Sequence, residues 1–141
     1  MVSFLTLKVA DVMTTALVTV QSDTKLSELR SLFDTHQFNA FPVMDAGDFA
    51  GWVTQFDFLN AFTLRAESIA PRYQEIFQLG AASIMVRKPE CIGPEQSLNR
   101  TLMRMIETRH RSFPVISKNR LVGIIAREDI LRGLKGQFTD R

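Results

Sequence analysis

The chain has 141 residues, of which 45% are hydrophobic and 23% are charged. This composition excludes a disordered tail, a collagen-like rod and a low-complexity scaffold. The longest uncharged runs, Val12 to Ser22 and Ile76 to Val86, have 11 residues each, whereas a membrane-spanning helix needs about 20. The N-terminus lacks the basic region of a signal peptide, and a single cysteine, Cys91, excludes an intramolecular disulfide and a cysteine-based zinc site. We therefore expect a cytoplasmic protein of one domain, or of two small units that share a core.

The charge is distributed unevenly between the two halves of the chain. Residues 1–72 carry five basic and eight acidic side chains (net −3), and residues 73–141 carry twelve basic and seven acidic ones (net +5). This asymmetry indicates a polarised surface or an anion site in the second half. The nearest basic cluster, Arg109-His110-Arg111, is too short to predict nucleic acid as a partner.

The sequence repeats itself without a gap at a spacing of 72 residues. Ten of the 57 positions between 7 and 63 are identical to the position 72 residues later. The identical positions include Leu7/Leu79, Met13/Met85, Leu26/Leu98, Phe41-Pro42-Val43/Phe113-Pro114-Val115, Gly51/Gly123 and Asp57/Asp129. An internal repeat of this length predicts two copies of one supersecondary unit.

The sequence pattern of each copy predicts the element order β-α-β-β-α. In copy one the elements are a short extended stretch at 17–20, a helix starting at 22–23, a hairpin of strands 41–44 and 49–54, and a helix beginning near Asp57. In copy two the corresponding elements lie at 90–92, 93–95, 113–116, 121–126 and near Asp129. Because proline cannot donate to a strand ladder, Pro42 and Pro114 predict edge or entry strands. A single copy of about 55 residues is marginal alone, so we expect an α+β fold whose copies pack through their sheets with pseudo-twofold symmetry.

These features resemble the CBS domain, named after cystathionine β-synthase. The resemblance rests on the element order, on the Phe-Pro-Val that enters each hairpin, and on the two segments Gly51-Trp52-Val53-Thr54-Gln55-Phe56-Asp57 and Gly123-Ile124-Ile125-Ala126-Arg127-Glu128-Asp129. It covers residues 7 to 135, and two copies in tandem are similar to a CBS pair, or Bateman module. The predicted domains are 1–62 with the N-terminal segment, a linker at 63–78, and 79–141 with the C-terminal tail.

The resemblance implies a non-catalytic regulatory or energy-sensing module that binds AMP, ADP, ATP or a related adenosine derivative and acts on an unidentified partner protein. It also implies a homodimer, no required cofactor and no metal. Because few residues follow copy two, we expect a stand-alone pair. The sequence contains none of the catalytic motifs HExxH, GxGxxG or GxxxxGK[ST], which argues against an enzyme.

The resemblance implies two ligand clefts between the copies, each with an aspartate that accepts the ribose hydroxyls. Around Asp57 it places Thr54, Asn39 and His110, together with Arg87 and Glu90. Around Asp129 it places Ala126, Arg127, Arg111, Thr15, Val18 and Phe38. Ala126 lacks the hydroxyl of Thr54, so we expect Arg111 and Arg127 to supply the phosphate contacts there, with Arg111 the main one. Because its half of the chain is basic, the Asp129 cleft is the expected site of a phosphorylated nucleotide.

Other interpretations of these residues stay open. Asp57 and Asp129 each follow an apolar strand, so both can simply cap a helix. The chain can also serve as a protein-interaction or dimerisation module without nucleotide binding, in which case Phe4, Leu5 and Trp52 are the expected contact surface. Nucleotide titration separates the two functions, because only a sensor saturates and is stabilised by its ligand.

Overall fold

The structure is a computed structural model that describes residues 4–63 and 72–138. It is a mixed α+β fold with two small sheets. The chain divides into two compact units: one contains residues up to Leu17 together with those from Glu90 onward, and the other is Val18–Pro89. No helix among the described residues is long and apolar enough to cross a membrane.

The helices and the hairpin strands follow the predicted order in both copies, and the predicted first strand forms only in copy one. The helices are α1 (Val9–Val12), α2 (Leu26–Thr35), α3 (Gln55–Asn60), α4 (Tyr73–Phe77), α5 (Leu98–Thr108) and α6 (Arg127–Phe138), with single 3-10 turns at Phe4–Thr6 and Ala81–Ser83. The strands are β1 (Val20–Gln21), β2 (Ala40–Asp45), β3 (Asp48–Thr54), β4 (Ser112–Ser117) and β5 (Arg120–Ala126).

The unit Val18–Pro89 is built on a three-stranded sheet in the order β1-β2-β3. β1 runs parallel to β2, and β2 and β3 form the predicted hairpin with Phe41 opposite Val53. One face of this sheet and helix α2 bury a common core, whose fully enclosed members are Leu26, Leu29, Phe41, Val43, Val53 and Ala81. Burying side chains of this size contributes about 1.5–3 kcal/mol each, so the core holds the hairpin against the helix.

The other unit repeats this arrangement around β4 and β5. The hairpin pairs Phe113 with Ile125, and Ile92 adds a single parallel bridge to Val115 in place of a third strand. The core beneath it comprises Val9, Ile92, Leu98, Met105, Phe113, Val115, Ile125 and Ile130. The predicted β-hairpins of both copies are therefore confirmed.

Each unit takes the segment that precedes the first strand from the other copy. Leu98 N donates to Leu7 O and Leu26 N donates to Leu79 O, both at 2.9 Å. The predicted domains follow the repeat in the sequence, whereas the compact units divide the chain at residues 17/18 and 89/90. Helix α4 lies in the predicted linker 63–78, while residues 64–71 of that linker and 139–141 of the tail lie outside the described residues.

Helices α2 and α5 begin later than predicted. The residues expected to start them, Ser22-Asp23 and Gly93-Pro94-Glu95, form turns, closed by Thr24 N to Gln21 O at 3.0 Å and by Gln96 N to Gly93 O at 3.2 Å. The helices start at Leu26 and Leu98. The N–H groups of these first residues have no partner within the helix, and they donate to the exchanged segments.

The edge-strand prediction for Pro42 is wrong, because this residue lies inside the central strand β2. The proline is tolerated because β1 pairs with β2 only from Val43 onward, so no partner is present where the missing N–H would point. The equivalent Pro114 contributes its carbonyl, which accepts from Ile92 N at 3.0 Å.

The prediction that Trp52 belongs to a contact surface is wrong. Trp52 is 5% exposed, because its strand position is enclosed between Pro42 in the hairpin and the backbone bridge to Val86. Phe4 is partly buried against the core of its unit. The side chain of Leu5 lies outside the described part of the structure.

Candidate functional site

Asp57 lies at the junction between β3 and α3, in a reciprocal capping box with Thr54. Its Oδ2 accepts from Thr54 N and from Thr54 Oγ1, both at 2.9 Å, and Thr54 Oγ1 accepts from Asp57 N at 3.0 Å. The Thr-x-x-Asp spacing places both side chains at the helix N-terminus, where a carboxylate is favoured. All contacts of the carboxylate with described residues use Oδ2, and Asp57 is only half-buried. Its Oδ1 is thus available to an added donor.

Asp129 occupies the same junction between β5 and α6 but has different partners. Its Oδ2 accepts from Ala126 N at 2.8 Å, which reproduces the cap of copy one. Its Oδ1 accepts from Thr14 Oγ1 at 3.0 Å and from Nη2 of Arg132. The side chain of Asp129 is 4% exposed, so this carboxylate is buried and paired on both oxygens.

The hydroxyl group that contacts the aspartate comes from a different segment in each of the two units. In one it is Thr54 at the end of β3; in the other it is Thr14, whose backbone pairs with Ile124 in both directions at 2.8 and 2.9 Å. In copy two the residue equivalent to Thr54 is Ala126 and the residue equivalent to Thr14 is Val86, and neither carries a hydroxyl. Each unit therefore has one hydroxyl beside its aspartate.

Asn39 and Arg111 are bonded through their backbones to the first residues of the helices at these junctions. Asn39 O accepts from Gln55 N, and Arg111 O accepts from Arg127 N, each at 3.0 Å. These bonds bring Asn39 next to the Thr54–Asp57 box and bring Arg111 next to Ala126 and Asp129. The guanidinium of Arg111 is exposed and makes no ion pair within the described residues.

Arg127 and His110 are both exposed near the second junction. Nε of Arg127 donates to Glu128 at 3.4 Å in an exposed ion pair, which in water contributes little. The ring of His110 contacts Phe113 edge-on, with 5.6 Å between centroids. His110, expected near Asp57, thus lies in the unit that contains Asp129.

Three further predicted residues are divided between the units. Thr15 is exposed and directly follows Thr14, which contacts Asp129. Val18 packs against the core of the unit Val18–Pro89. Phe38 belongs to the same unit, stacked on His36 at 5.9 Å and edge-on to Phe41 at 6.0 Å. Thr15 therefore belongs to the same compact unit as Asp129, whereas Val18 and Phe38 belong to the other unit.

Glu90 is held by a two-pronged ion pair with Arg104. The Nη2 of Arg104 donates to Glu90 Oε1 at 2.8 Å, and its Nε donates to Oε2 at 2.5 Å. The hydrogen bonds from Arg104 lower the pKa of Glu90 below that of a free glutamate. The negative charge of Glu90 is thus compensated by the guanidinium of Arg104.

The chain offers little reactive or metal-binding chemistry in the described residues. No three of their His, Cys, Asp or Glu side chains come together as a metal site requires. Partial burial, followed by the charge of Glu90, raises the pKa of the exposed Cys91 thiol. A raised pKa lowers the thiolate fraction at neutral pH, so Cys91 is a poor nucleophile.

Sequence reasoning missed two residues at the second junction, Thr14 and Arg132. Arg132 stands three positions after Asp129 on one helix, a spacing at which opposite charges meet. The contact between these two residues could therefore have been predicted from the sequence. Thr14 had no such signal, because its contact depends on the exchange of segments between the copies.

The model of the CBS domain matches this chain twice, over residues 9–64 and 81–136. The chain belongs to the CBS-domain family. The two matches follow the 72-residue frame, and each includes one exchanged segment and one Gly-x5-Asp motif. Copy one and copy two are therefore CBS domain 1 and CBS domain 2.

Other tandem CBS proteins share the sequence pattern and the fold. The chain is 28% identical over 122 residues to the CBS domain-containing protein YhcV of Bacillus subtilis, covering 86% of this chain and 81% of YhcV. The structure is similar to that of CBSX2 in complex with AMP, with a TM-score of 0.77 and 21% identity over 92% of this chain and 97% of that one. It is also similar to the CBS domain pair of protein MJ0100 in complex with 5′-methylthioadenosine and S-adenosyl-L-methionine, with a TM-score of 0.74 and 22% identity over 93% and 98% of the two chains.

Proposed function

We propose that this CBS pair is a non-catalytic regulatory module that binds an adenosine derivative and passes the binding state to a partner protein. The observation that carries the proposal is the half-buried carboxylate of Asp57, which keeps Oδ1 without a hydrogen bond from the described residues. CBSX2 and the MJ0100 pair, which share the fold, were crystallised with AMP and with S-adenosylmethionine-type ligands. The feature common to those ligands is adenosine, which fits an acceptor for ribose hydroxyls.

The proposed contacts follow from the chemistry of each side chain. A carboxylate accepts hydrogen bonds only, so Asp57 suits the two hydroxyls of a ribose. Asn39 lies beside it, and its side-chain amide can donate to a ribose or phosphate oxygen. The hydroxyl proton of Thr54 is donated to Asp57 Oδ2, so Thr54 can contact a ribose hydroxyl only as an acceptor. At the second junction Asp129 holds the corresponding position and lies beside Arg111, whose guanidinium is of a kind that donates two parallel hydrogen bonds to a phosphate wherever a ligand can enter.

A thermal-shift screen of the full chain tests the proposal. The probes are adenosine, AMP, ADP, ATP, 5′-methylthioadenosine, S-adenosylmethionine and NAD, with GMP as the control for the base. A ligand at about 100 times its Kd stabilises the fold by roughly 2.7 kcal/mol, which raises Tm by several degrees in a chain of this size. No shift with any adenosine derivative, or an equal shift with GMP, would contradict the proposal.

A second candidate function, docking without a nucleotide, is favoured by exposed apolar side chains on the helices. Phe56 and Leu59 on α3 are 73% and 57% exposed, and Leu131, at the position equivalent to Leu59 on α6, is 63% exposed. Exposed apolar side chains that recur at equivalent positions favour a protein contact. A chain that forms a dimer but shows no nucleotide shift would support docking over sensing.

A further inference from the structure

We infer that Arg132 and Thr14 close the carboxylate of Asp129, so that an adenosine derivative binds through Asp57 alone, with one molecule per chain. The inference rests on the proposed function and specifies which of the two repeated sites carries it. Asp129 is then a positioning residue that holds an exchanged segment, and Arg132 determines which site is open.

The acceptor capacity of Asp129 is largely used by its own unit. An ionised carboxylate offers about four acceptor positions. Oδ2 accepts from Ala126 N, and Oδ1 accepts from both Thr14 and Arg132. With the side chain 4% exposed, a ribose can reach it only by displacing the guanidinium. Displacing that cation would leave a buried carboxylate without its charge partner, which is unfavourable.

Arg132 is tied at two points, which favours this closed arrangement. The same Nη2 atom that contacts Asp129 also donates to Val12 O at 3.4 Å, the last residue of α1. The arginine side chain is 62% exposed while the aspartate is buried, so the guanidinium lies on the solvent side of the carboxylate. Arg132 and Thr14 thus connect α6 to the segment that pairs with Ile124.

The Asp57 junction lacks both closing groups. The positions equivalent to Arg132 and Thr14 are Asn60 and Val86, so this junction has neither the guanidinium nor the second hydroxyl. Thr54 satisfies Oδ2 and leaves Oδ1 without a partner in the described part of the chain. The two aspartates share a sequence motif but differ in the one property that a ribose requires, a free acceptor oxygen.

Isothermal titration of the full chain with AMP tests the inference. We expect one AMP per parent chain, at least tenfold weaker binding in Asp57→Asn, and less than threefold change in Asp129→Asn. Two AMP molecules per parent chain would overturn it. Loss of binding in Asp129→Asn with normal binding in Asp57→Asn would also overturn it, provided that circular dichroism shows both variants folded.

Exchanging the closing residues between the repeats gives a matched pair of variants. The first variant, Thr14→Val/Ala126→Thr/Arg132→Asn, surrounds Asp129 with the residue types that surround Asp57. We expect this variant to bind a second AMP. The reciprocal variant, Val86→Thr/Thr54→Ala/Asn60→Arg, should lose its AMP site. A folded first variant that still binds a single AMP would overturn the role of Arg132 and Thr14.

A measurement without ligand separates failure of this inference from failure of the proposed function. The shifts in Tm of Arg132→Gln and Asp129→Asn should be non-additive in the double variant, because the two side chains contact each other directly. Additive shifts would show that the closing contact is absent in solution and would overturn the inference whether or not AMP binds. Non-additive shifts, with no binding of AMP or of any other adenosine derivative of the thermal-shift screen to any variant, would uphold the closing contact and would overturn both the proposed function and the assignment of the ligand to Asp57.

Discussion

The sulfur of Met85 lies 2.6 Å from the point where a Cβ on Gly51 would stand. The equivalent residues of the other unit are similarly close, since a Cβ on Gly123 would lie 2.7 Å from the sulfur of Met13. The methionine and the glycine thus recur together in the repeat because they pack against each other. Each glycine clears a space for the methionine of the segment exchanged from the other copy.

We expect Gly51→Ala to lower the free energy of unfolding by about 1–3 kcal/mol, the usual cost of overpacking a closed core position. The added methyl group would meet Val86 O at 2.8 Å as well as Met85, and a backbone carbonyl in a strand bridge cannot move aside cheaply. Urea unfolding followed by circular dichroism measures the change in midpoint. Gly93→Ala is the control, because no atom lies within 4 Å of its Cβ position; equal midpoints for the two variants would contradict the prediction.

The local parts of this fold were predictable, and the exchanged parts were not. Alternation of apolar residues around the turns, the Phe-Pro-Val segments and the Gly-x5-Asp spacing predicted both hairpins and both aspartate junctions, because these are short-range patterns. The contact of Thr14 with Asp129 joins residues 115 positions apart. No local pattern encodes it, and it distinguishes the two junctions.

Substitution of Thr14 tests the contribution of that long-range hydrogen bond. We expect Thr14→Val to destabilise the chain by about 1.5–3 kcal/mol, the range for hydrogen bonds to charged groups. The isosteric valine keeps the shape and removes only the hydroxyl. Thr15→Val is the matched control at an exposed neighbouring position and should change the unfolding midpoint little. Equal effects of the two substitutions in chemical denaturation would show that the Asp129 contact contributes nothing.

The ion pair between Glu90 and Arg104 predicts a pH-dependent contribution to stability. Because Arg104 lowers the pKa of Glu90 in the folded chain, folding favours the ionised form. The contribution is fully present above the unfolded pKa of about 4.3 and is lost as the pH falls through the lower folded value. The difference in unfolding free energy between the parent and Glu90→Gln should therefore shrink as the pH falls below 4.

The control for this pH series is Glu107→Gln, which removes a single 3.2 Å contact to the same guanidinium. The Glu107 side chain is 60% exposed, and exposed pairs contribute little. Its unfolding curves should stay close to those of the parent at every pH. If the difference in unfolding free energy between the parent and Glu90→Gln is as large at pH 3 as at neutral pH, the glutamate acts through packing rather than through its charge.

Arg111 should matter only where the adjacent carboxylate is open. In the parent chain Arg111→Ala should change AMP affinity less than twofold, because the Asp129 junction is closed. In the Thr14→Val/Ala126→Thr/Arg132→Asn background it should weaken the second AMP site about tenfold or more, the equivalent of 1.4 kcal/mol, and change adenosine binding little. Titrations with AMP and adenosine in both backgrounds measure this; an equal loss for the two ligands would show that Arg111 does not contact the phosphate.

The exposed apolar side chains of α3 and α6 predict that the chain is a homodimer. Phe56 and Leu131 are 73% and 63% exposed, and burying an aromatic or leucine side chain contributes about 1.5–3 kcal/mol each. A twofold dimer buries each such residue twice, so Phe56→Glu/Leu131→Glu should convert the dimer to a monomer at micromolar concentration. Light scattering after size-exclusion chromatography measures the mass, and Lys118→Glu in the β4–β5 turn is the control for added negative charge. A parent chain that stays monomeric over a wide concentration range, or a double variant that keeps the dimer mass, would show that these helix faces do not join two copies.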